Sequence, residues 1–140
     1  MPVVDLTVNF RISESAHLGR DLIKDLHAFS VETLKKPSKY MCVKINEHAL
    51  MAFDGTFDPA DECWTAFNLH ITCLGVDVQQ NKEIIAAYTK FLSEKFGLPG
   101  DRGYVRVVDP GRENIGPGFE EDARRYRHRE CENQDTRNIM

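Results

Sequence analysis

The chain has 140 residues, 41% of them hydrophobic and 29% charged, with a formal net charge of −4. That is the length of one ordinary domain with enough apolar material for a real core. The lack of a basic excess argues against a general nucleic-acid binder, and no stretch approaches the run of about 20 apolar residues that crosses a bilayer.

The first element is a strand over residues 3–9, where Val3-Val4-Asp5-Leu6-Thr7-Val8 alternates and is rich in β-branched residues. Asp5, Arg11, Glu14 and Arg20 interrupt the first twenty residues, so a cleavable secretory signal is not expected. Cys42, Cys63, Cys73 and Cys131 are spaced too widely for a zinc pattern or a C-x-x-C pair. Free thiols with no leader fit a reducing, cytoplasmic compartment.

A helix follows over residues 15–35. Leu18, Leu22, Leu26 and Phe29 fall on one face with Ile23 and Leu34 beside it, Ser15 is placed to cap the start, and Pro37 stops the run. A second strand spans 40–46. Residues 49–63 form a connector, with Asp54-Gly55 and Asp58-Pro59 as turn signals.

The same plan then repeats. A strand over 65–74 puts Phe67, Leu69, Ile71 and Cys73 on one face and Asn68, His70 and Thr72 on the other. A helix over 81–96 carries Ile84, Ile85, Tyr88, Phe91, Leu92 and Phe96 as its apolar stripe, capped by Asn81 and closed by Gly97 and Pro99. A last strand runs over 104–109. Residues 120–140 hold six acidic residues and five arginines with little apolar content, which predicts a solvated, flexible tail after a domain of residues 1–119.

Each half places a helix between two strands that a right-handed crossover can join in parallel. The expected fold class is therefore α/β (α+β): two β-α-β repeats forming a four-stranded mixed sheet with two helices on one face. Half-apolar strands with no second helix layer predict that oligomerisation covers the other face.

Pro2 carries the chemistry worth weighing. A small residue behind the initiator methionine permits removal of that methionine, which turns the Pro2 nitrogen from an amide into a secondary amine. An α-amino group titrates near about 7.7–8.0. Burial and a neighbouring lysine both disfavour its charged form, leaving a partly neutral amine suited to general-base work. The plainer alternative is that Pro2 only permits methionine removal.

The stretches KKPSKYMCVKI, LMAFDGT with Pro59, NLHITCLG, and DRGYVRVVD with NIGPGF occur in this order at fitting distances. Together they make residues 2–119 resemble the macrophage migration inhibitory factor and D-dopachrome tautomerase family of the tautomerase superfamily. The resemblance implies a homotrimer with pockets between subunits and a keto–enol tautomerase (phenylpyruvate or dopachrome tautomerase-like) that acts on small aromatic 2-keto acids without a metal or other cofactor.

It also implies roles. Pro2 is the catalytic base and Lys36 contacts the substrate carboxylate. Ile71, or Thr72 if the register slips by one, offers a backbone N–H. Tyr104 lines the pocket from the adjacent subunit, and Arg106 stands where the best-known member has asparagine. Without the resemblance, Lys36 reads as a helix-end cation, Tyr104 as a core-edge aromatic, Arg106 as a partner of Asp109 or Glu113, His70 as structural and Trp64 as packing.

Three departures stand out. Ala60 and Cys63 replace the well-known Cys-x-x-Cys, so thiol–disulfide exchange is not expected; Pro117 replaces a pocket-rim tryptophan; and the tail exceeds the usual family length. The alternative function is a cytokine-like ligand, secreted without a signal peptide, that binds a cell-surface receptor and keeps its pocket as a vestige. A weaker third is an oligomeric scaffold with no ligand.

Overall fold

A computed structural model of the chain describes residues 2–12 and 18–116. The expected cap at Ser15, Pro117, Cys131 and the charged tail of residues 120–140 lie outside them. The described residues divide between two units, with the boundary between Pro110 and Gly111. Within the described part of the second, Arg112–Asn114 make one 3-10 turn.

The first unit contains β1 (Val3–Val8), α1 (Leu18–Leu34), β2 (Cys42–Asn46), β3 (Phe67–Thr72), α2 (Val78–Phe96) and β4 (Gly103–Val108). The strands form one mixed sheet in the order β2-β1-β3-β4. β1 pairs parallel with β2, β3 pairs parallel with β4, and β1 joins the halves by pairing antiparallel with β3. This is the doubled β-α-β plan read from the sequence.

Strict alternation decides which face is which. Val4, Leu6 and Val8 of β1 and Phe67, Leu69 and Ile71 of β3 are all buried and share one cluster with Leu22, Leu26, Ile84, Tyr88 and Leu92 of the helices. Each such side chain contributes about 1.5–3 kcal/mol by leaving water. Ser30 sits at the next helical position of the Leu22–Leu26–Leu34 stripe and is buried as well, whereas Ile23, expected beside the first stripe, and Ile85, expected within the second, are exposed.

The opposite sheet face, which was expected to need cover from another subunit, is largely polar. Register places Lys44, Asp5, His70 and Arg106 in one cross-strand row, and Asn46, Thr7, Asn68 and Tyr104 in the next. A polar face of this kind can stay in contact with water, so apolar burial on it is not what calls for a partner.

Element ends also moved. The first helix stops at Leu34, where Lys35 takes a left-handed φ of 54°, and Ser38–Tyr40 form a 3-10 turn before β2 starts at Cys42 rather than at 40. β3 covers 67–72 within the expected 65–74. The second helix begins at Val78, capped by Asp77 and not by Asn81: the Gln80 N–H donates to Asp77 Oδ1 at 2.8 Å and the Asp77 N–H donates to Gln80 Oε1 at 3.0 Å. Asp77 wins because Gln80 stands three residues on and can close a capping box. Gly97 ends α2 with φ 65°, as expected.

Gly103 opens β4 where it crosses Phe67. A Cβ there would lie 2.6 Å from the Phe67 ring, so only glycine lets the parallel pairing of β3 and β4 begin at this point.

Candidate active site

Pro2 immediately precedes β1 and its side chain is fully buried. Its carbonyl accepts a 3.1 Å hydrogen bond from the Cys42 N–H, which begins the ladder to β2. The Val3↔Thr72 register, carried one step further, brings Pro2 opposite Cys73. Cys73 is buried on the helix side of the sheet, and its N–H donates to the Val108 carbonyl at 3.0 Å. Burial pushes the Cys73 thiol above its ordinary value, while the field of the Lys36 cation acts against that rise and Asp109 adds to it. Lys36 is half-buried just past α1. Pro2 and Cys73 therefore meet at one end of the sheet, and Lys36, which lines a cavity with Leu74 and Gly75, stands near that end.

Ile71 lies two residues before Cys73, buried in the inner strand opposite Val4 and Val107. Thr72, the alternative, is half-buried on the other face beside Val3 and Val108.

Tyr104 and Arg106 lie elsewhere. Both project from the open face of β4 and both are exposed, Tyr104 at 72%. Tyr104 pairs in register with Asn68, four ladder steps from the Thr72↔Val108 pair. That is about 13 Å along the strand at about 3.3 Å per residue. Within one chain the expected residues thus form two groups on opposite faces of the sheet: Pro2 with Lys36 at one end, and Tyr104 with Arg106 on β4, Tyr104 towards the other end and Arg106 at mid-strand beside His70. Asp109 Oδ2 accepts from the Gly75 N–H at 3.0 Å.

Two cavities occupy other ground. One of about 760 Å³ is lined by Asn9, Arg11, Leu50, Met51, Phe57 and Trp64, among others. Another of about 460 Å³ includes Lys36, Leu74, Gly75, Val76, Gln80 and Glu83. Of the expected site residues only Lys36 lines either of them. Trp64 anchors the connector as well as lining the larger cavity: its carbonyl accepts from Asn9 Nδ2 at 2.8 Å, and the same nitrogen donates to the Met51 carbonyl at 3.1 Å. Among the described residues no group of three or more His, Cys, Asp or Glu side chains is placed to hold a metal ion, and no helix is long and apolar enough to cross a membrane.

Residue-by-residue reading of the sequence missed Cys73 as the neighbour of Pro2. It also missed Arg102, although Asp101-Arg102-x-Tyr104 was among the stretches that carried the resemblance. Arg102 is buried, with 6% of its surface exposed. Arginine is almost never buried without a charged partner, so nothing local announces such a site.

Two β-α-β units, a mixed sheet in the order β2-β1-β3-β4 and a proline at the head of β1 give this chain the architecture of the tautomerase superfamily. It belongs to the macrophage migration inhibitory factor family: the model of that family, described as "Macrophage migration inhibitory factor (MIF)", matches residues 1–118. A macrophage migration inhibitory factor homolog of Trichinella spiralis is 26% identical over 116 residues, covering 83% of this chain and 95% of the relative. D-dopachrome decarboxylase-B of Xenopus laevis is 31% identical over 110 residues, covering 77% and 86%. The solved structure of the Trichinella spiralis factor superposes with a TM-score of 0.70 at 21% identity, covering 83% of this chain and 96% of that one.

Proposed function

We propose that this chain is a keto–enol tautomerase of aromatic 2-keto acids, assembled as a homotrimer, with the Pro2 secondary amine as general base once Met1 is removed. The observation that carries it is the placement of Pro2: fully buried at the head of β1, at the end of the sheet where Lys36 lines a cavity with Leu74 and Gly75. Apolar burial and a nearby cation both hold an amine neutral, and only a neutral amine accepts a proton.

The separation of the two groups fits a pocket shared between copies. Tyr104 and Arg106, turned away from their own Pro2, are free to complete the Pro2 and Lys36 group of a neighbour.

In that pocket the Pro2 nitrogen takes a proton from the carbon beside the substrate carbonyl. The C–H electron pair forms the new C=C bond, and the carbonyl pair moves onto oxygen. The oxyanion takes a proton from solvent water to give the enol while the Pro2 ammonium returns its own proton to solvent, with reversal on the return path. Lys36 and the Arg106 fork bind the carboxylate, and Tyr104 lies along the aromatic ring.

The test uses purified protein whose N-terminus is read by mass spectrometry. Enol-to-keto conversion of phenylpyruvate is followed by ultraviolet absorbance for wild type, Pro2→Gly and Lys36→Ala. Pro2→Gly is expected to lose on the order of a hundredfold in rate, and Lys36→Ala to raise KM. Sedimentation is expected to give three times the 16.0 kDa chain mass. Equal background rates for all three proteins, or retention of Met1, would overturn the catalytic role; binding to a cell-surface receptor that survives Pro2→Gly would favour the ligand reading.

A further inference from the structure

Arg102 is a buried cation with no carboxylate partner among the described residues. Its guanidinium is satisfied by other means: Nε donates to the Thr65 carbonyl at 3.2 Å, Nη1 to the Phe53 carbonyl at 3.4 Å, and Nη2 to Thr56 Oγ1 at 2.9 Å. Its Cζ lies 5.0 Å from the centroid of the Phe53 ring. A charge is kept out of water at this cost only when hydrogen bonds and a π-face replace the lost solvation.

All these partners belong to the connector and its end. Phe53 and Thr56 exchange both backbone hydrogen bonds, at 3.1 and 3.0 Å, around Asp54 and Gly55, whose φ values of 52° and 71° are the left-handed pair of a type I′ turn. Arg102 clamps this turn to the start of β4. The Phe53 ring then lies against Tyr104, with centroids 5.5 Å apart and planes tilted by 55°. For Tyr104, 72% exposed, this is the only ring contact among the described residues.

We infer that Arg102 is a positioning residue for Tyr104, acting through the Phe53 ring: it fixes the 53–56 turn, the turn fixes Phe53, and Phe53 sets the direction in which the phenol stands from β4. The functional part of this inference rests on the tautomerase reading, in which Tyr104 lines a neighbour's pocket. Lysine at position 102 would keep the charge but lose the planar fork that engages three acceptors at once.

The test pairs kinetics with a readout that needs no turnover. Protein labelled with 3-fluorotyrosine is prepared as wild type, Arg102→Lys and Phe53→Leu, and the Tyr104 resonance is assigned by its loss in Tyr104→Phe. Both variants are expected to move that resonance towards the position of free fluorotyrosine while the Tyr88 resonance stays. Phe53→Leu keeps every backbone acceptor of Arg102, so it stands in if Arg102→Lys does not fold.

In phenylpyruvate assays both variants are expected to raise KM on the order of tenfold with little change in kcat. In a Tyr104→Ala background the same substitutions are expected to leave KM within about twofold. An unmoved Tyr104 resonance overturns the relay, as does an equal KM penalty with and without Tyr104. An inactive wild type overturns the tautomerase reading instead, and the resonance alone then decides the relay.

Discussion

The Tyr88 hydroxyl donates a 2.7 Å hydrogen bond to Ser30 Oγ in the seam between the two helices, and both side chains are fully buried. This explains a serine in the apolar stripe of α1. The phenol arrives from α2 with Phe29 edge-on at 4.9 Å, and Phe29 stacks on Phe91 at 4.3 Å, so the phenol hydroxyl, with aromatic rings around it, requires an acceptor at that spot.

Ser30→Ala is expected to cost about 1–3 kcal/mol, because it leaves a buried hydroxyl unpaired. Tyr88→Phe should cost less, since Ser30 can turn to the carbonyl four residues back in its own helix. Urea unfolding of the two single variants and the double variant checks this, and the double variant should lose less than the sum of the singles.

Burial pushes the Tyr88 phenol above its ordinary value of 10.0; the Ser30 hydrogen bond opposes that shift and Cys73 adds to it. The unfolded chain releases this proton near about pH 10 while the folded chain retains it. The contribution to stability is therefore complete below about pH 10 and falls as pH rises beyond it. Unfolding free energies measured from about pH 9 to about pH 11 should drop more steeply for wild type than for Tyr88→Phe.

Gly103→Ala is expected to destabilise the chain by about 1–3 kcal/mol, the usual range for overpacking. The added methyl would meet the Phe67 ring at 2.6 Å and press on the Phe67 carbonyl. Neither can withdraw, because Phe67 is buried and its N–H is bonded to the Arg102 carbonyl at 3.2 Å. Thermal unfolding by circular dichroism gives the answer; an unchanged midpoint would show that β4 can shift away from Phe67.

Among the described cysteines, Cys42 and Cys63 are exposed and Cys73 is buried. Iodoacetamide on the native protein should modify the first two readily and leave Cys73 intact until denaturant is added. Burial both blocks access and raises the thiol, which reduces the reactive thiolate. Peptide mass spectrometry of native and unfolded samples reads this directly. Labelling of Cys73 in the native state would mean that the Pro2 end of β1 opens.

The outline of the fold was legible because it depends on period. Alternation in Val3–Val8 and Phe67–Thr72 and the fourfold spacing of Leu22, Leu26 and Leu34 each state a local geometry and a buried face. The cap of α2 was misplaced because Asp77 and Asn81 are both good capping residues, and only the reach of Gln80 back to the Asp77 N–H separates them. The two halves of the candidate site were named through family resemblance, but alternation could say only that Tyr104 and Arg106 share a face, not that this face is turned away from Pro2.

The amino-acid order alone determined the number of strands and helices, their connection as two β-α-β units and the apolar side of each, since these follow from interactions between residues close along the chain. Tertiary structure decided what depends on register and on distant partners. The antiparallel joining of β1 to β3 sets Lys44, Asp5, His70 and Arg106 in one row, and the approach of residues 53–65 to the start of β4 brings the Phe53 and Thr65 carbonyls to a buried Arg102. Such contacts arise only when segments 37 to 49 residues apart meet, and no periodicity within either segment records which acceptor will stand opposite which donor.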